Sequence, residues 1–144
     1  MSSFSMSGAV RFFAPGTPAP QGSKVRTRYG MRESSKRVAP WRDAVEAAAV
    51  EAMERGHMFG PVSPPYDVTL EFLIKRPKVT MAADPVAPTI GDLDKLARAT
   101  HDALTTAGLI EDDRFITLAA QSKRWARPGE TPGVHVLVGT AVGA

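Results

Sequence analysis

The sequence contains no cysteine, and its aromatic content is only 7%. It also lacks any apolar run of the roughly 20 residues that a membrane-spanning helix needs. The absence of cysteine excludes disulfides, thiolate catalysis and zinc–thiolate sites. The Ser-rich segment 1–8 does not have the basic-then-apolar order of a secretory signal. We therefore expect a soluble, cytoplasmic protein.

The charges are unevenly distributed along the 144 residues, although the net charge is only +3. Basic side chains concentrate in segments 24–42, 75–78 and 123–127, whereas acidic ones concentrate in 43–54 and 92–113. A basic surface beside an acidic pocket indicates a polyanionic partner. The alternative is a scattered charged surface that only maintains solubility.

Hydrophobic periodicity and turn residues predict six elements in one domain that covers residues 1–144. They are a strand at 9–14, a helix that begins at Pro40 and stops at Gly56, a strand at 67–75, a helix at 93–107, and strands at 115–125 and 134–140. Segment 15–39 is rich in Gly, Pro and basic residues, so we expect a flexible basic loop there. The order β-α-β-α-β-β predicts an α+β fold with two main helices layered on a mixed β-sheet.

The most informative stretch is 91–116, GDLDKLARATHDALTTAGLIEDDRFI. Asp92 suits the N-cap of the second helix, and Asp94 lies about 100° around that helix from the inward-facing Leu93. An acidic residue before a helix is often only a cap, but this explains one carboxylate better than two. It also leaves Asp112 and Asp113 unexplained. A helix of about 14 residues is roughly 20 Å long, so Asp113 reaches Asp94 only if the chain folds back.

Oxygen-donor carboxylates suit a hard divalent cation such as Mg²⁺, which can activate water for attack on a phosphodiester. A calcium EF-hand is a poor alternative, because Ala97 and Ala103 occupy the positions that need Gly and Glu. The residues alone are therefore compatible with a metal site, but they leave helix capping open as the alternative.

This stretch resembles the RusA family of Holliday junction resolvases. Asp92, Leu93, Asp94 and Leu96 match the first part of the family pattern, 102–104 match its D-A-L, and Asp112 with Asp113 match its paired acid. Segment 18–24, PAPQGSK, resembles a loop of many phage members.

The resemblance implies a homodimer that hydrolyses paired phosphodiesters in four-way DNA junctions during recombination and repair, in bacterial or phage-infected cytoplasm. It implies Mg²⁺, with Mn²⁺ as a substitute, held by Asp92, Asp94 and Asp113. The sequence departs from the pattern at Lys95, where the family has Asn, and at Arg98, where it has Lys. Arg98 is a candidate catalytic residue that reaches a phosphate, or else an i,i+4 partner of Asp94 or Asp102.

Several basic residues are candidates for sequence-independent phosphate contacts. They are Lys24, Arg26, Arg28, Lys36, Arg37, Lys75, Arg76, Lys78 and Lys95. His101 lies on the flank of its helix, where packing is favoured over proton transfer. Trp41 fits the core stripe better than base stacking, and Trp125 lies beside basic residues.

Two alternatives to the junction endonuclease stay open. One is a non-catalytic branched-DNA-binding protein with the same fold, and the other is a metal-dependent phosphatase of small substrates. Retained DNA binding without metal-dependent cleavage would identify the first, and turnover of a simple phosphate ester the second.

Overall fold

The computed structural model describes residues 9–22, 24–27, 30–33 and 36–142, with the side chains of 24–33 left out of the description. Its elements are β1 (Val10–Pro15), β2 (Lys24–Thr27), β3 (Gly30–Glu33), α1 (Val38–Arg55), β4 (Tyr66–Ile74), α2 (Leu93–Ala107), β5 (Ile116–Trp125) and β6 (Gly133–Thr140). A single 3₁₀ turn, Asp113–Phe115, connects to β5.

Four strands form a mixed sheet in the order β1-β6-β4-β5. The central strand β4 pairs in parallel with β5 and antiparallel with β6, and β6 pairs antiparallel with β1. The parallel pair requires a crossover, and α2 lies on that crossover between β4 and β5. The predicted α+β fold, with two helices on a mixed sheet, is confirmed.

The core lies between the helices and one face of the sheet. Alternate residues of β4 and β6, such as Leu70, Phe72 and Val136, are almost fully buried, as period-two strands facing helices require. Helix α1 packs on β1 and on α2. Trp41 of α1 is only 2% exposed, and its Nε1 donates a hydrogen bond to Thr100 Oγ1 of α2 over 3.3 Å. Trp41 therefore joins the two helices within the core.

The start of α1 and the preceding segment differ from the prediction. Helix α1 begins at Val38 rather than Pro40, because Val38 itself is buried. The prediction of a loop throughout 15–39 was wrong where β2 and β3 form. These two strands pair antiparallel, with Lys24 opposite Glu33. The polar composition of this segment indicated only that it is not buried. Two strands can pair through main-chain hydrogen bonds without being buried. The side chains of Lys24 and Arg26, and all of Arg28, lie outside the described residues.

Neither α1 nor α2, nor any other helix in the described part of the chain, combines the length and the apolarity that crossing a bilayer requires.

Candidate active site

The candidate site contains two pairs of aspartates, Asp92 with Asp94 and Asp112 with Asp113, and the two members of each pair have different roles. Asp92 is the N-cap of α2, with its Oδ1 accepting from the backbone N–H of Lys95 over 3.1 Å, and Asp94 follows in the first turn. Asp112 caps the 3₁₀ turn, with its Oδ1 accepting from the backbone N–H of Arg114 over 2.9 Å. That hydrogen bond lowers the pKa of Asp112. In each pair the first carboxylate caps the element, and the second, Asp94 or Asp113, lines a shared cavity.

Asp113 reaches this cavity because the chain folds back after α2. Gly108 ends the helix in the left-handed conformation, with φ of 83°, which glycine adopts without steric cost. Leu109 and Ile110 are then buried in the core. The backbone N–H of Glu111 donates to the Tyr66 hydroxyl over 3.0 Å, which ties the acidic turn to the start of β4. The fold-back that the sequence required is therefore present.

The shared cavity, hereafter the acidic cavity, has a volume of about 300 Å³. Helix α2 contributes Asp94, Arg98 and His101 to its lining, the 3₁₀ turn contributes Asp113, and β5 contributes Gln121. Arg98 forms an ion pair with Asp94 over 3.2 Å, and both side chains are more than half exposed. Such an exposed i,i+4 pair is worth only a few tenths of a kcal/mol, so a stronger ligand of Asp94 can displace it.

Two residues that line the acidic cavity each have a buried polar atom without a partner in the described part of the chain. Neither His101 Nε2 nor Gln121 Oε1 makes a hydrogen bond to any of the residues that the structure describes. Burial lowers the pKa of His101, and the nearby Asp113, Asp102 and Asp94 only partly oppose this effect. Burial thus favours the uncharged imidazole, in which one of the two ring nitrogens accepts a hydrogen bond.

Asp102, the acid of the D-A-L segment, lies on the adjoining side of α2. It forms an ion pair with Arg42 of α1 over 3.5 Å. Burial raises the pKa of Asp102, and Arg42 acts in the opposite direction. Asp102 therefore links the two helices, while Arg98 pairs with Asp94.

Two carboxylates that line the acidic cavity could hold a metal ion whose remaining ligands come from water and substrate. Within 9–22, 24–27, 30–33 and 36–142, no group of three or more His, Cys, Asp or Glu side chains is arranged to hold an ion. Asp94 and Asp113 share the acidic cavity, whereas Asp92 caps the helix and lines the neighbouring cavity. Mg²⁺ typically takes one or two protein carboxylates and fills its shell with water and substrate phosphate oxygens. Asp94 and Asp113 could supply these two carboxylates.

The neighbouring cavity, hereafter the cationic cavity, has a volume of about 710 Å³. Among the residues whose side chains the structure describes, it is lined by four cations, Lys36, Arg37, Lys95 and Lys123, and by one carboxylate, Asp92. Two of these cations are held by main-chain carbonyl groups, Arg37 by Thr89 O over 2.8 Å and Lys123 by Gly91 O over 3.0 Å. The cationic cavity adjoins the acidic cavity at the first turn of α2.

Gly91, which lines the cationic cavity, packs closely against Pro20. It has a φ of +91°, and a Cβ at this position would lie 2.5 Å from the Pro20 ring. The adjacent Gln21 backbone N–H donates to Lys95 O over 3.0 Å. The chain leading to the β2–β3 hairpin is therefore docked on the N-terminal turn of α2.

The remaining candidates lie on other surfaces. Lys75 and Arg76 line a third cavity of about 870 Å³ with Trp125 and Arg127, and Lys78 is exposed on the following loop. Arg124 in this cavity binds Glu130 through paired hydrogen bonds of 2.7 and 2.8 Å, which lower the pKa of Glu130 to about 2. Arg124 therefore has a structural partner already.

Two residues of β5 that line these cavities were absent from the predicted site. Gln121 enters the acidic cavity and Lys123 the cationic cavity. The signal was available in the period-two pattern, since these residues project from the same side of one strand as Ala119. The cavity that this side of β5 faces is determined by strand pairing across the sheet. The sequence does not reveal that pairing.

The fold thus places an acidic cavity and a cationic cavity side by side at the start of one helix. The family described as endodeoxyribonuclease RusA matches residues 15–138. The chain belongs to this family of DNA-cleaving hydrolases, whose members resolve Holliday junctions and act on branched DNA. No curated protein matches the chain closely enough to count as a relative.

Proposed function

We propose that this protein is a Mg²⁺-dependent, homodimeric endonuclease that makes paired cuts in four-way DNA junctions. The observation that carries the proposal is the convergence of Asp94 and Asp113, from separate elements, on a cavity that adjoins a cluster of cations. A metal-binding group beside a phosphate-binding surface is an arrangement that suits metal-assisted phosphodiester hydrolysis.

Asp94 and Asp113 would hold the ion, and Asp92 would shape the site by fixing the first turn of α2. When bound, Mg²⁺ or Mn²⁺ supplies Lewis-acid polarisation of the phosphate and a template for the displacement. Arg98 lies one turn after Asp94 and is free to exchange its exposed ion pair for a phosphate oxygen of the substrate. The backbone N–H of Lys95 donates to Asp92, and Lys95 lines the cationic cavity.

The cationic cavity would hold the DNA backbone next to the scissile phosphate. Among the described side chains that line it, four cations outnumber one carboxylate, so the cavity should attract phosphate. Contacts of this kind position the DNA without reading its sequence. Lys75, Arg76 and Lys78 lie outside this cavity and would contact a separate part of the junction.

Removing cations from the cationic cavity is expected to weaken junction binding. For a Lys95→Gln, Lys123→Gln double variant we expect at least about tenfold weaker binding, and a salt dependence shallower by about two units of slope. The measurement is a salt titration of junction affinity by fluorescence anisotropy in EDTA. The matched control is Arg11→Gln, Arg55→Gln, which removes the same charge from residues outside the cationic cavity. Equal slopes for the two double variants would contradict the assignment of this cavity to phosphate.

The homodimer is proposed because two cuts in opposite strands need two sites related by two-fold symmetry. A supercoiled plasmid that extrudes a cruciform tests this pairing directly. We expect it to pass straight to the linear form, whereas independent single cuts would accumulate the nicked circle. Sedimentation at twice the chain mass of 15.4 kDa is the accompanying expectation.

One observation favours the non-catalytic alternative, the ion pair that Arg98 forms with Asp94. If this pair excluded metal, an Arg98→Ala variant would gain Mn²⁺ affinity and cleavage. We expect instead that Arg98→Ala cleaves more slowly than the unaltered protein, because the exposed pair is weak and the arginine serves the phosphate.

A further inference from the structure

His101 and Gln121 are unexplained by packing and by metal binding. Both side chains are partly buried, yet His101 Nε2 and Gln121 Oε1 are fully buried without a partner in the described part of the chain. A buried polar atom without a partner costs stability, so its retention calls for a functional reason. Both residues line the acidic cavity with Asp94 and Asp113.

The two atoms have complementary chemistry. An amide oxygen accepts hydrogen bonds, and the Nε2 of an uncharged imidazole also accepts when its Nδ1 carries the hydrogen. Two acceptors carried by residues that line one small cavity can take both hydrogens of a single water molecule.

The arrangement of the elements supports this pairing. His101 lies seven residues after Asp94 on α2, so both project from the same face of the helix. Gln121 projects from β5 on the side that faces α2, in register with the buried Leu70 of β4. The cavity of about 300 Å³ has room for water and a phosphate group.

We propose that His101 and Gln121 together hold the attacking water, and that His101 is the general base of the cleavage reaction. This inference rests on the proposed function. As the water oxygen bonds to phosphorus, one of its protons passes to His101 Nε2, and the other hydrogen stays on the new phosphate hydroxyl. The bond from phosphorus to the departing sugar oxygen breaks, and that oxygen takes a proton from solvent. His101 then returns its proton to solvent, so the step needs no further reactant.

Single-turnover cleavage of a four-way junction tests this assignment. For His101→Leu we expect a rate loss of about 10²-fold, the lower end of the range for general-base catalysis. For Gln121→Leu we expect a loss of about tenfold, since the base remains but the water is less well oriented. Because both act on one water molecule, the double variant should be only slightly slower than His101→Leu alone. If the rate losses of the two single variants instead multiplied in the double variant, the assignment of both residues to one water molecule would be overturned.

Two measurements separate this role from other roles of His101. Replacing an unpartnered polar group by an apolar one should raise the melting temperature by about 3 °C. A lower melting temperature would indicate that His101 is structural and would contradict the proposal. Mn²⁺ affinity by calorimetry should be unchanged, because the proposal gives the metal to Asp94 and Asp113. A loss of Mn²⁺ affinity in His101→Leu would make it a metal ligand and overturn the base assignment.

The controls distinguish failure of this inference from failure of the proposed function. His135→Leu changes an exposed histidine on β6, outside the acidic cavity, and should cleave at the unaltered rate. If the unaltered protein does not cut junctions, the proposed function fails. If the unaltered protein cuts, Asp94→Asn does not, and His101→Leu cuts at the full rate, only the general-base inference fails.

Discussion

Asp94→Asn is expected to lower the rate of junction cleavage by about 10³-fold or more, which corresponds to about 4 kcal/mol of lost transition-state stabilisation. Asparagine keeps the shape of the side chain but removes the charge that would hold the metal. Asp94 is largely exposed, so the variant should fold normally. Junction binding in EDTA should be equal or tighter, because a negative charge is removed from the DNA-facing surface.

The comparison for Asp94→Asn is Asp84→Asn, which makes the same chemical change at an exposed position outside the acidic cavity. Single-turnover assays on one labelled junction should give the unaltered rate for Asp84→Asn. If both variants cleaved equally well, Asp94 would not be part of the active site. If both lost binding, the defect would lie in charge or folding rather than in metal binding.

Trp41→Ala is expected to lower the free energy of unfolding by about 3–5 kcal/mol, the usual cost of truncating a buried tryptophan. Trp41 is almost fully buried, its ring centroid lies 6.4 Å from that of Phe72, and its Nε1 binds Thr100. The variant therefore loses both apolar contacts and the hydrogen bond between the helices. Chemical denaturation followed by circular dichroism measures the effect.

Trp125→Ala provides the matched control for Trp41→Ala. Trp125 is partly exposed on the third cavity, and its Nε1 donates to Ala82 O over 3.1 Å. We expect a smaller loss of stability for Trp125→Ala. A larger loss for Trp125→Ala than for Trp41→Ala would contradict the placement of Trp41 in the core. Base stacking by Trp41 would instead appear as weakened junction binding without loss of stability.

Periodic and capped segments of this fold were predictable from the sequence. Helix α2 was predicted at its observed bounds because Asp92 caps it, Gly108 ends it, and apolar residues recur at helical spacing between them. β4 followed from the alternation of apolar and polar residues in 67–75, and β6 was predicted after the turn-forming segment that follows β5. The β2–β3 hairpin was not predicted, since its strands are only four residues long and polar, and their pairing depends on main-chain hydrogen bonds.

The candidate site was only partly predictable for a different reason. Residue spacing identified the acidic pairs, but it could not distinguish the roles of the predicted metal ligands Asp92, Asp94 and Asp113. The structure separates Asp92, which caps α2 and lines the cationic cavity, from Asp94 and Asp113, which line the acidic cavity. Gln121 and Lys123 come from a strand whose facing depends on its parallel partner β4. Such tertiary pairing has no local signature in the sequence.

The most direct test of the proposed function is cleavage of an end-labelled four-way junction by the unaltered protein in Mg²⁺ and in EDTA, beside a linear duplex of the same sequence. We expect symmetric nicks in opposite strands of the junction in Mg²⁺, no cleavage in EDTA, and little cleavage of the duplex. Tight junction binding with no cleavage in either Mg²⁺ or Mn²⁺ would contradict the proposed nuclease activity and support a non-catalytic role.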